Sequence, residues 1–247
     1  MSARDTRAGI GRTVVIGLVV VILIVVAVSA YAVFRPHSVT QPVLECGDTI
    51  TTNMTLSANV GPCSFHGLVM GSNGVTLNCN GHSISGTSTN PNFTGIGISL
   101  DGITGATVEN CNVTGFEDGF YLYESSHNAL SGNAADKNEG GFAIWSSENN
   151  ALSGNAADNN TQVGFVFEGS GNNTLSDNTA DNGHYGFYLL GSVRSTLQGN
   201  TANSNTGSGF NLNDSSHNTF TGNTADINTI SGFFIGSSSY NVLPGTL

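Results

Sequence analysis

Four sets of residues in this chain have types and spacings that could do chemistry. Tyr121, Tyr123, Trp145 and Tyr188 recur at outward places in successive copies of a short apolar pattern. Rigid amphipathic rings in such a row stack on sugar rings at small entropic cost; the alternative is that strands simply favour aromatics. Asp136, Asp158, Asp181 and Asp226, with Asn203 in the same series, each follow a repeated Asn by three residues. Carboxylates stacked in this way repel one another, and a hard cation such as Ca²⁺ with its oxygen ligands would relieve the repulsion; water and Lys137 would relieve it too. The four cysteines, Cys46, Cys63, Cys79 and Cys111, form an even set that precedes the regular repeats. In an oxidising compartment that favours disulfides. Cys46–Cys63 would staple a first coil, and Cys79–Cys111 would join neighbouring coils, because "NCN" occurs at 78–80 and again at 110–112. Metal binding is the other use of such cysteines, although no CxxC spacing occurs. Finally, N-x-S/T glycan acceptors stand at Asn53, Asn92, Asn112, Asn159, Asn172 and Asn213.

The elements that must position these residues are written most plainly in residues 117–247, where one unit recurs six times. Gly-Phe pairs fall at Gly119/Phe120, Gly141/Phe142, Gly164/Phe165, Gly186/Phe187, Gly209/Phe210 and Gly232/Phe233, at steps of 22, 23, 22, 23 and 23 residues. Eleven places after each Gly comes Leu130, Leu152, Leu175, Leu197, Phe220 or Leu243. A fixed period of this length signals a stacked-repeat architecture. Within a unit the apolar residues alternate, as in Phe142-Ala143-Ile144, and period two predicts strand. No unit holds the 10–12 residues of 3.6-period pattern that a helix wants. Two short strands separated by Asn/Gly turns make one coil of a parallel β-helix, with Phe stacked on Phe and Leu on Leu at the interstrand distance of roughly 4.8 Å. Asn133, Asn155, Asn178, Asn200 and Asn223 form one column, and Asn138, Asn160, Asn205 and Asn228 most of another, with Gly183 in place of Asn. Asn tolerates left-handed turns and bonds neighbouring backbone, so these columns are expected to be structural.

The phrase "SSHNALSGNAADKNEGGFAIW" and its copies resemble the parallel β-helix repeats of pectin-lyase-like proteins, especially the NosD-like and surface β-helix group. The stretch "CGDTITTNMTLSANVGPC…GLVMGSNGVTLNCNGHSISG" resembles the opening coil and cap of the same group, so the resemblance covers about residues 44–247. It implies a right-handed, single-stranded parallel β-helix of about eight coils, a handedness that agrees with the crossover rule. It also implies a strand face on which polysaccharide lies. Lyases of the family use a basic residue with bound calcium, and hydrolases use close Asp residues with a His and an Arg-x-Lys. Here Lys137 and Arg194 are the sole basic residues of the repeats, with no Asp-Asp, Gly-His-Gly or Arg-x-Lys. A non-catalytic protein is therefore expected. The NosD resemblance implies copper, but soft-metal sites want clustered His, Cys or Met. His127 and His217 share a repeat position four coils apart, roughly 19 Å at the strand spacing, and His66, His82 and His184 show no ligand spacing.

Ahead of the repeats, Arg4, Arg7 and Arg12 precede an uncharged run over residues 13–34. It is long enough for a bilayer, which needs roughly 20 apolar residues, and the flanking charge keeps residues 1–12 in the cytoplasm. An uncleaved anchor is expected, with a cleavable signal peptide as the alternative. Residues 35–43, with two prolines, read as a tether; 44–84 as cap and first coils. From Pro36 onward 16 Asp/Glu face two basic residues, a balance of −14, which repels nucleic acid and anionic polymers. Residues 85–95 carry an insertion, and the repeats stop in mid-coil after Leu243-Pro244, leaving a β-edge open to self-association. The expectation is a membrane-anchored extracytoplasmic β-helix that binds glycan or a surface partner along its aromatic strand face. A polysaccharide-acting enzyme and a structural envelope or filament component are the alternatives.

Overall fold

A computed structural model describes residues 43–87 and 94–246. These form an all-β parallel solenoid of about eight turns, without helices, and no helix among them is long and apolar enough to cross a membrane. The expected anchor at 13–34, nearly all of the tether, most of the insertion and Asn92 lie outside the described residues.

Each coil contributes to three sheets. The long sheet has nine strands, running from Thr49–Ile50 through Leu68–Met70, Ile96–Asp101, Asp118–Tyr123, Gly140–Trp145, Val163–Glu168, Tyr185–Leu190 and Ser208–Asn213 to Ser231–Gly236. The second has eight, from Met54–Thr55 to Thr219–Thr221. The third has four, Val60–Cys63, Ser83–Gly86, Asn112–Thr114 and Ala134–Ala135. It continues as single bridges from Ala134 through Ala156, Thr179 and Thr201 to Thr224. All pairing is parallel and keeps the repeat in register, so Phe120, Phe142, Phe165, Phe187, Phe210 and Phe233 form one column. Their rings stack with centroids 4.5–4.8 Å apart. Phe220 enters the Leu column and meets Phe210 edge-on at 5.9 Å.

The invariant Gly before each Phe has a steric cause. A Cβ on Gly164 would stand 2.6 Å from the Cβ of Ala180, and one on Gly141 would stand 2.7 Å from that of Ala157. The Gly column and the Ala column are therefore one contact that closes the third side of each coil.

The corners are held by side-chain ladders. Asn178 Nδ2 donates to Leu152 O at 3.0 Å, while its Oδ1 accepts from the Asn155 N–H at 2.9 Å; the Asn178 N–H in turn donates to Asn200 Oδ1 at 3.0 Å. The same scheme runs through Asn133, Asn155 and Asn200 and through Asn138, Asn205 and Asn228. Two more ladders complete the corners, one through Asn128, Asn150 and Asn173 and one through Ser125, Ser147, Ser170, Ser192 and Ser215. Buried turn groups thus find partners one coil away, as a buried backbone requires. Both disulfides form as the spacing suggests. Cys46–Cys63 closes the first coil and Cys79–Cys111 ties two adjacent strands of the second sheet together.

Candidate functional site

On the outward face of the long sheet, side chains that follow no repeat gather around a cleft of about 300 Å³. Its floor comes from strand positions whose side chains are short or apolar, Gly140, Val163 and Val166. One wall comes from the corner that leads into each long strand, where the residue two places before the repeated Gly is Glu117, Glu139, Gln162 or His184 in successive coils. The rest of the lining is aromatic: Trp145, Tyr188, and Tyr185, which continues the Gly140 and Val163 column. Backbone bonds join this corner from coil to coil but shift by one residue with coil length: in the 22-residue coils Gly140 N–H donates to Glu117 O at 2.7 Å and Tyr185 N–H to Gln162 O at 2.9 Å, whereas in the 23-residue coils Gln162 N–H donates to Glu139 O at 2.9 Å and Gly207 N–H to His184 O at 2.7 Å.

The carboxylates of the cleft have distinct surroundings. Glu139 accepts a hydrogen bond from the Gln162 amide. Asp118 sits at the first residue of its strand, and burial, then the charges of Glu117 and Glu139, push its carboxyl up to about 7. Burial, then Asp118 and further neighbours, also raise the Tyr121 phenol. His184 Nδ1 lies 3.1 Å from Thr206 Oγ1, and its ring packs on Tyr185 at 4.3 Å. Tyr185 in turn stacks on Tyr188 at 5.5 Å.

Of the four predicted aromatics, Trp145 and Tyr188 line the cleft. Tyr121 meets Trp145 edge-on at 5.4 Å and lies parallel to Tyr123 at 6.3 Å, extending the aromatic surface beyond the cleft. The predicted Asp column stands elsewhere, after the Ala column, and has a use of its own. Asp136 Oδ1 accepts the Asp158 N–H at 3.1 Å, Asp158 Oδ1 the Asp181 N–H at 2.9 Å and Asp181 Oδ1 the Asn203 N–H at 2.6 Å. Asn203 Oδ1 continues the chain to the Asp226 N–H at 2.7 Å. Burial raises the carboxyls of Asp136 and Asp181 above their usual range, and these N–H donors oppose it. Among the described residues no three His, Cys, Asp or Glu side chains are placed to hold a metal ion. Of the described glycan acceptors, Asn53, Asn112, Asn159 and Asn172 are exposed. Asn213 is half-buried, with its Nδ2 3.2 Å from the Tyr188 hydroxyl.

Glu117, Asp118, Glu139, Gln162 and His184 were not legible as a site. Glu117, Glu139, Gln162 and His184 share one signal, a polar residue two places before the Gly in four successive coils, which gives way to Gly207 and Ile230; Asp118, one place before Gly119, has none.

No curated protein matches the chain. Among solved structures it is similar to the enzymatically active domain of tailspike protein 2 of bacteriophage CBA120, with 12% identity over 84% of this chain and 39% of that one at a TM-score of 0.56. It is also similar to the Dettilon tailspike protein, with 15% identity over 79% of this chain and 52% of that one at 0.53. A third is the A-module of a mannuronan C-5 epimerase from Azotobacter vinelandii, with 13% identity over 85% of this chain and 92% of that one at 0.50. The chain spans about two fifths to one half of the two tailspike chains, and at these identities the likeness is one of fold. The family model described as periplasmic copper-binding protein (NosD) matches residues 66–244. Its span takes in the later cap residues and nearly all of the regular repeats, so the chain belongs to the NosD family of parallel β-helix proteins.

Proposed function

We propose that this protein binds glycan in the cleft on the outward face of its long sheet. The supporting observation is the gathering of Trp145, Tyr185 and Tyr188 with Glu117, Asp118, Glu139, Gln162 and His184 in one cleft. Aromatic faces stack on the apolar faces of sugars, and the neighbouring polar side chains exchange hydrogen bonds with hydroxyls. Two disulfides and the periplasmic description of the family support an extracytoplasmic setting. The apolar run at 13–34 would serve there as the anchor. The copper in the family's description finds no suitable donor set among the described residues: their cysteines are all in disulfides, Met70 is core, and no metal-holding group of three occurs.

The full-length protein on a glycan array, beside Trp145→Ala and Tyr188→Ala, tests the reading. Binding by the native protein is expected to weaken about tenfold in each variant, with thermal melting unchanged. Absence of binding to every glycan would overturn it.

A second reading is favoured by Asp118. A carboxyl held near 7 beside two further carboxyls is suited to hand a proton to a leaving oxygen while a neighbour stays ionised. In that reading the protein cleaves a glycosidic bond. Release of reducing ends that stops in Asp118→Asn would support it, and intact oligosaccharide after prolonged incubation would remove it.

A further inference from the structure

The cleft carries three carboxylates, and no lysine or arginine lines it. A neutral sugar would leave that charge uncompensated, and an anionic one would be repelled. Among the described residues no three His, Cys, Asp or Glu side chains are grouped to hold one metal ion, so the charge is better matched by an organic polycation whose separate ammonium groups each pair with a carboxylate.

A second observation lies one coil beyond the cleft on the same face. Asn211 follows Tyr188 in the outward column and is followed by Phe234. It is 7% exposed, and its Oδ1 is buried without a hydrogen-bond partner, alone in this among the described residues. That is exceptional in a molecule whose other buried amides are bonded in ladders, and an orphaned buried acceptor requires an explanation. Asn211 lines a neighbouring depression of about 330 Å³ with Ser208, Asn213, Ile230 and Phe234. Tyr185 lines both hollows, so they are consecutive along the solenoid axis. From the coil of Asp118 to that of Phe234 the face runs five coil steps, roughly 24 Å at the strand spacing. Phe234, 44% exposed, lines the second hollow beside Asn211.

We propose that the two hollows are consecutive positions of one groove for a linear oligosaccharide bearing protonated amines, its amines pairing with Glu117, Asp118 and Glu139 and a donor of a later unit with Asn211. The inference rests on the glycan reading above and adds the class of sugar and the direction of the chain.

Calorimetric titration of the full-length protein with glucosamine oligomers of increasing length, and with their N-acetylated counterparts, tests it. The free-amine oligomers are expected to bind about tenfold more tightly than the acetylated ones. Asp118→Asn is expected to abolish that preference, whereas Asp226→Asn, a carboxylate outside the groove, keeps it. Asn211→Leu is expected to remove the gain in affinity between short and long oligomers. Equal or tighter binding of the acetylated series would overturn the inference while leaving glycan binding intact. Equal loss of preference in Asp226→Asn would reduce it to overall charge, and unchanged length dependence in Asn211→Leu would remove the second position. Failure of both series to bind would remove the glycan reading for these sugars as well.

Discussion

Asn178 and Asp118 are two polar side chains with little solvent exposure in one solenoid, and they differ in what surrounds them. Asn178, 0% exposed, exchanges hydrogen bonds with Asn155 on one side and Asn200 on the other, and a carbonyl takes its remaining N–H. The same residue type recurs at that place in every neighbouring coil. Asp118 opens a strand whose successors begin with Gly140, Val163, Tyr185 and Ser208, and its nearest charged neighbours are carboxylates that repel it. The contrast teaches a rule for this architecture. A polar residue that repeats is partnered by its own copies and belongs to the scaffold. One that breaks the repeat has no such partner and is available to a ligand.

The contrast can be broken hardest at the ladder. Asn178→Leu leaves the Asn155 N–H and the Leu152 carbonyl short of a partner, at about 1–3 kcal/mol for each buried group. Urea denaturation should show a loss of about 2–6 kcal/mol, and a loss below about 0.5 would mean that the ladder is dispensable.

Asp118→Asn should act in the opposite direction. The native carboxyl binds its proton up to about 7, whereas the unfolded one releases it near 3.8. Between those values the folded state holds more protons, so native stability falls as pH rises through the window and stays low above it. The displacement corresponds to at most about 4 kcal/mol, less what residual solvation screens. Denaturation midpoints at pH 4 and pH 8 should converge in the variant relative to the native protein. An identical pH slope in both would contradict the burial of Asp118.

Gly164→Ala probes the scaffold more gently. The new methyl would meet the Ala180 Cβ at 2.6 Å and the Gly186 carbonyl at 2.8 Å, an overpacking worth about 1–3 kcal/mol. A variant as stable as the native protein would show that the third side has slack. Smallest of all should be Glu139→Gln in the cleft. The Gln162 amide keeps an acceptor there, so stability should move by less than about 0.5 kcal/mol. The Asp118 carboxyl should titrate lower once one of its repelling neighbours is gone, which NMR titration would detect.

Much of the fold was legible because a parallel β-helix places equivalent residues one above another, so each structural requirement is repeated along the chain. The Gly-Phe pairs, the Leu column with Phe220, the Asn columns and both cysteine pairs could be read from spacing. The Asp column was legible as a column too, but its use was not. Whether Asp158 faces a cation or the Asp181 N–H depends on backbone directions at the corner, which residue types do not report.

The sequence by itself determined the coil, its period and its interior, since burial and hydrogen bonding act identically on every repeat. Only the tertiary structure decided where the cleft lies. Its lining draws on four coils, and residues more than 60 positions apart, such as Asp118 and Tyr185, line the same hollow. No local pattern records that meeting. Stacking converts a step of 22 or 23 residues into roughly 4.8 Å, and it is this folding of sequence distance into one strand spacing that makes single, unrepeated residues into a site.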